Sequence, residues 1–190
     1  PGVAAGADAW VAMAVDGSGR PHVVYRHSDN ATLRYVYHNG TAWSSPVDVH
    51  TGDKGRYGNG IAVGSDGSVH VAYSDTTAGE MWYARAASPG AAFVRTLIDG
   101  TSSNQRFPSI ALDTSNYAHI TYIDANALRL RPMYARTTAG GLLLTEMQDT
   151  TVGEGKLLDS TATVITPDGL VNMVYINGAA NLRVGIYLPE

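Results

Sequence analysis

Apolar residues along this chain come in short runs broken by polar and turn residues. No stretch keeps a helical period between helix caps. Four runs match one another: PHVVY (21–25), VHVAY (69–73), AHITY (118–122) and VNMVY (171–175). Each has His22, His70, His119 or Asn172 second and Tyr25, Tyr73, Tyr122 or Tyr175 last. Both columns recur at intervals of 48, 49 and 53 residues. A matched stretch precedes each run: AMAVDGSG, IAVGSDGS, IALDTSNY and TVITPDGL. Another follows: LRYVYHNG, MWYARAAS, RPMYARTT and LRVGIYLP. A fourth stretch occurs in three copies only: WSSPVDV, FVRTLID and LLLTEMQD.

These stretches are rich in Val, Ile, Tyr, Thr and Ala, which is strand chemistry. Asp16-Gly17, Asp66-Gly67 and Asp168-Gly169 predict hairpins between first and second strands. Asn39-Gly40, Pro89-Gly90 and Gly140-Gly141 predict them between third and fourth. In the second strands His22 and Val24 face one way and Val23 and Tyr25 the other, with little charge on either side. That is the pattern of a strand covered on both faces. Four antiparallel strands repeated about every 48 residues are the signature of a β-propeller blade. The expectation is an all-β, single-domain propeller over 1–190, with blades at about 9–50, 57–99, 106–149 and 158–190. The last unit has only three strands, and the Gly/Ala-rich segment before Trp10 is a poor donor of a fourth. A four-bladed ring, a larger propeller completed by another chain and a piece of a longer protein all remain open, and an unpaired edge strand favours a partner at the ends.

Composition narrows the chemistry. A net charge of −4 disfavours nucleic acid, which asks for a basic face. Among 190 residues there is no apolar run long enough to span a membrane. The absence of Cys excludes disulfides and thiolate metal sites. The chain starts without Met, as a processed or excised product would. Eleven Tyr against two Phe suit a half-wet β surface or a sugar-binding one.

The units PHVVYRHSDNATLRYVYHNGTAW, VHVAYSDTTAGEMWYAR and AHITYIDANALRLRPMYAR resemble repeats of secreted bacterial β-propellers of the sialidase-like type, here without Asp-boxes. LRYVYHNGTAW is more faintly similar to fucose-binding propeller lectins. The resemblance implies a secreted, extracellular carbohydrate-binding module. A fragment of a propeller-fold glycoside hydrolase or polysaccharide lyase is the first alternative. An assembly unit forming a homo-oligomer through its end strands is the second. The implied partner is a glycan or polysaccharide.

Recurring polar residues supply the candidate site. Arg56, Arg106 and Lys156 each precede a first strand; Asp29, Asp75, Asp124 and Asn177 each follow a second strand. In a propeller these segments open on one rim, and Trp10, Tyr57 and Phe107 there are candidates to stack on sugar rings. The same Arg–Asp alternation also fits a plainer role, locking neighbouring blades together. The matched His sit too far apart to share a zinc ion, because stacked sheets lie about 10 Å apart. Each is expected to be buried and hydrogen-bonded to a neighbouring blade. No cofactor is expected, and the only metal the pattern leaves room for is a single structural calcium in the channel, held by carbonyls. No catalytic residue stands out, since Glu is scarce and no nucleophile motif is present.

Overall fold

The computed structural model describes residues 10–27, 32–52, 54–75, 77–100, 105–126, 129–146, 160–176 and 182–187. All regular structure among them is antiparallel sheet. The first sheet has β1 (Val11–Val15), β2 (Pro21–Arg26), β3 (Leu33–Tyr37) and β4 (Val47–His50). The second has β5 (Lys54–Val63), β6 (Val69–Asp75), β7 (Glu80–Ala86) and β8 (Val94–Asp99). The third has β9 (Gln105–Leu112), β10 (Ala118–Asn126), β11 (Arg129–Thr138) and β12 (Gly141–Glu146). The fourth has β13 (Thr161–Ile165), β14 (Val171–Ile176) and β15 (Leu182–Tyr187). Within each sheet the strands lie in chain order. The first strands follow one another, β1 beside β5, β5 beside β9 and β9 beside β13. The sheets therefore stack as successive blades around a common inner edge.

The hairpins form where the sequence places them, with one shift. Gly67 and Gly169 carry the left-handed φ of their turns, but in the first turn it is Gly19, not Gly17. The equivalent position in the third turn is Asn116, at φ 61°.

Packing obeys one rule. The face carrying Val24, Leu33 and Tyr35 in the first sheet packs on the face carrying Ile61, Val71 and Tyr73 in the second. The other face of the second sheet, with Ala72, Met81 and Tyr83, packs on Ile110, Ile120 and Tyr122 of the third. Tyr134 of the third then meets Val171 and Met173 of the fourth. We call these the leading face and the receiving face.

The two sequence columns have different jobs. The His column works within a sheet, against the expectation of bonds to a neighbouring blade. His22 Nδ1 lies 2.6 Å from the Tyr35 hydroxyl, His70 Nδ1 2.7 Å from Tyr83, and His119 Nδ1 2.6 Å from Tyr134. Antiparallel pairing sets two residues of adjacent strands on the same face, so the ring reaches its own sheet's third strand first. On the other side Nε2 of His22 and His119 faces the carboxylates of Asp16 and Asp113, at 3.5 and 3.3 Å. In the second sheet Ser68 intervenes, 2.7 Å from His70 Nε2 and 2.5 Å from Asp66. One proton arrangement suits all three, with tyrosine O–H donating to Nδ1; Nε2–H then donates to Ser68 from His70 and to Asp113 from His119, while His22 Nε2 faces Asp16 without closing a hydrogen bond. The Tyr column joins sheets instead. The Tyr73 hydroxyl meets His50 Nδ1 of the preceding sheet at 2.9 Å, and Tyr122 donates to Asp99 at 3.0 Å.

Two predictions follow from this division. Tyr122→Ala is expected to cost about 3–5 kcal/mol, as for other large aromatics lost from a core. Tyr122→Phe, which removes only the hydroxyl facing buried Asp99, is expected to cost about 1–2 kcal/mol, both read from urea unfolding. Burial also brings His70 down to about 4 and His50 to about 4, and lowers His22 and His119. The unfolded chain then takes up protons near pH 6.5 that the folded chain refuses. The stability these rings contribute is complete above pH 6.5 and drains away as pH falls toward 4. For His70 alone the loss is about 3 kcal/mol. Urea midpoints measured from pH 7.5 to 4 should fall through that window. His70→Asn combined with Tyr83→Val, the pair found at the matching positions of the fourth sheet, should flatten the slope.

Candidate functional site

The described part of the predicted rim gathers at one end of the sheets. Lys54 pairs with Asp75 in register, Gln105 with Asp124, and Arg106 with Ile123. Asp29, Lys156 and Asn177 lie outside the described residues. Asp75 is buried and committed: it accepts from Lys54 and from the amides of Thr77 and Ala78, at 3.0 and 3.3 Å for the last two. Its ion-pair partner is Lys54. Asp124 is also buried, whereas Arg56 is exposed. Glu80 faces Asp75 across the hairpin but accepts from Trp82 Nε1 at 2.8 Å.

The aromatic members of the rim come together. Trp10 packs on Phe107 with ring centroids 5.8 Å apart. Arg106 lies over the Tyr57 ring at 4.5 Å and Arg56 beside it at 5.8 Å. Phe107 has a φ of +52°, strained for a bulky residue and costing on the order of 1 kcal/mol. Its neighbours hold it there. Thr161 Oγ1 donates to its carbonyl at 2.8 Å, and Gly58 lies so close that a Cβ would sit 3.2 Å from the Phe107 Cα. One face of Tyr57 is therefore already covered by a guanidinium, and Phe107 is covered in part by Trp10.

A second site was not singled out by the residue columns. It is a cleft of about 320 Å³ between the second and third sheets, at the end opposite the rim. Asp66 and Arg85 stand on one wall, 3.3 Å apart and both half exposed. Ser115, Asn116 and Tyr117 of the β9–β10 turn form the other, with Thr96, Thr137 and Thr138 also lining the cleft; Thr137 Oγ1 accepts from the Ala118 amide and Thr138 Oγ1 donates to the Gly141 carbonyl. The ordered His70–Tyr83 pair lies beneath. Hydrogen bonds from the Ser68 side chain and amide hold the Asp66 carboxyl below the usual range, so it stays an acceptor through mild acid. Arg136 lies over Tyr117 at 6.0 Å.

The cleft exists because the repeat is broken there. The first and third turns open with Asp16 and Asp113, the second with Gly64, its acid displaced to Asp66. A Cβ on Gly64 would lie 2.5 Å from Asp66 Oδ1 and 2.7 Å from Ser68 Oγ in its own turn, and 2.8 Å from Asn116 Oδ1, which crosses between sheets to accept from the Ser65 amide at 2.9 Å. Asn116 occupies a column otherwise held by Gly19, Gly67 and Gly169, and Asn is, after Gly, the residue that best tolerates that conformation. Those two departures, Gly64/Asp66 and Asn116, are the signals in the sequence that mark the cleft.

Among the described residues no group of three acidic, His or Cys side chains converges as a metal site would. No family model matches the chain, and no curated protein matches its sequence. Solved structures do share its fold. A protein of unknown function from Dyadobacter fermentans aligns with TM-score 0.69 and 10% identity over 95% of this chain and 65% of its own. The Aleuria aurantia lectin, solved with Fucα1-6GlcNAc, gives 0.66 and 10% over 100% and 63%. The intramolecular trans-sialidase of Ruminococcus gnavus gives 0.59 and 12% over 92% and 42%. The chain spans less than two thirds of each of these proteins. At such identities the likeness concerns architecture, and the architecture is the β-propeller of the lectins and sialidases that the repeats resemble.

Proposed function

We propose that this chain is a carbohydrate-binding module that holds a glycan end group in the cleft between its second and third sheets. The observation that carries the reading is the cleft's lining. An ion pair, the hydroxyl-bearing side chains of Thr96, Ser115, Thr137 and Thr138 and the Tyr117 ring make a set that suits a polyhydroxylated ring with one apolar side. Its volume is at the small end of ligand clefts, which run from about 300 to 1,000 Å³, and so suits a terminal residue better than a length of polymer. The Arg85 fork favours a ligand with a carboxylate or vicinal hydroxyls. The structural likeness to a lectin and to sialidases supports a carbohydrate ligand. An extracellular location goes with this reading, from the resemblance of the repeats to those of secreted propellers. The enzyme alternative finds less support, because the facing carboxylates Asp75 and Glu80 are tied to Lys54 and Trp82.

The test is a glycan array on the purified chain, followed by titration of the best neutral and acidic hits. Tyr117→Ala and Arg85→Ala should each weaken binding about tenfold, the loss of roughly 1.4 kcal/mol of stacking or charged hydrogen bonding, with the unfolding midpoint little changed. Blank arrays, or variants that bind as well as the parent, would sink the reading. Arg106→Ala decides the rim separately. If Arg106 serves to hold Tyr57, the variant loses about 1 kcal/mol of stability and keeps its binding. If the rim is the glycan surface, the variant loses affinity for acidic glycans instead.

A further inference from the structure

Each internal junction joins a leading face to a receiving face. Two such faces are left over. The receiving face of the first sheet has no sheet before it among the described residues, and the leading face of the fourth has none after it. Strand register identifies what is missing. Met13 stands opposite Val23, as Ile61 stands opposite Val71 and Ile110 opposite Ile120. Ile61 and Ile110 are 7% and 9% exposed inside their junctions, whereas Met13 is 65% exposed, with Val11 and Val15 exposed beside it. At the other end Val184 stands opposite Val174, as the buried Tyr35 stands opposite Val24 and Tyr83 opposite Ala72. Val184 is 63% exposed and Val164, on the same face, 58%.

We propose that these faces bind each other between two copies of the chain, the leading face of one fourth sheet covering the receiving face of another first sheet. The argument is continuity: the same two kinds of face already meet three times within each molecule. An exposed apolar row at the register positions of a packed junction is a surface built to be covered. The first strand of the first face presents Val11, Met13 and Val15 and the last face presents Val164 and Val184; the charges in register on the first face, Arg34 and Asp48, neutralise each other at 3.0 Å beside that row. The contact is heterologous, face A to face B. It leaves one free face of each kind on a dimer and closes only when the accumulated rotation completes a ring. The glycan cleft, at an internal junction, takes no part.

Sedimentation of the purified chain over a range of concentrations tests the proposal. The native chain is expected to associate beyond monomer. Met13→Glu blocks one face and Val164→Glu the other, so each alone should be monomeric. Mixed in equal amounts they should form a dimer and nothing larger, because one native pair of faces remains. Met13→Ser and Val164→Ser should follow the same order with smaller effects. They keep the test decisive if a charge disturbs folding, which far-UV circular dichroism would show. A native chain that stays monomeric overturns the proposal. So does a Met13→Glu chain that associates like the native one, or a mixture of the two Glu variants that remains monomeric.

Discussion

A sheet whose central strand is apolar on both faces has to be covered twice, and most of this structure answers to that constraint. All seven residues of β6 are buried, and Val71, Ala72 and Tyr73 lose all exposure although they alternate between the two sides. In β1, the first strand of the first sheet, exposed and half-covered residues alternate. Between these limits lies the free energy of stacking. Each Val, Ile or Tyr side chain taken from water contributes about 1.5–3 kcal/mol. Polar atoms carried into those faces must find partners inside, because an orphan costs about 1–3 kcal/mol. The Tyr–His–acid chains within sheets and the Tyr73–His50 and Tyr122–Asp99 contacts between them are what that requirement produces.

The repeat was legible because the constraint acts on every unit alike. The His and Tyr columns and the hairpin glycines all come from it. The partner of the His was hidden by a small irregularity. Tyr35 and Tyr83 follow their His by 13 residues, but Tyr134 follows by 15, so a column of tyrosines looks like scatter. The partners of the second-strand Tyr were hidden for a different reason. They are His50 in one junction and Asp99 in the next, which hold the same place at the end of the fourth strand, 23 residues before the Tyr, but differ in residue type.

The functional features lie where units differ, which column reading discards. A repeat keeps what packing needs, and a site needs something that packing does not. Gly64 lets Asn116 cross a junction, and Asn116 accepts a backbone conformation that its three counterparts leave to glycine. Phe107 holds a strained φ that no packing rule asks for, against a glycine that makes room for it. The rim aromatics could be placed at one end by topology alone. That they would consume one another's faces, Trp10 on Phe107 and Arg106 on Tyr57, depends on the bulge in β9 and was not written in their spacing.

The fourth sheet shows how tightly the His chain is coupled. Where the others have acid or serine relay, His and Tyr, it has Thr166, Asn172 and Val184 at once. A buried neutral imidazole needs both a donor and an acceptor. Removing the acid alone would orphan Nε2–H, and removing the Tyr alone would orphan Nδ1. The three therefore change as a set or not at all. Their replacements are satisfied locally: Thr166 bonds Asp168 and the Leu170 carbonyl, and Asn172 donates to Leu170 at 3.3 Å. The exchange also suits the exposed position of this face. A Tyr–His pair left open to water would let the imidazole protonate near neutral pH and place a charge where an apolar junction has to form. Val184 and Asn172 remove that titration, so this position of the outer face, unlike its counterparts in the inner sheets, takes up no proton as the pH falls.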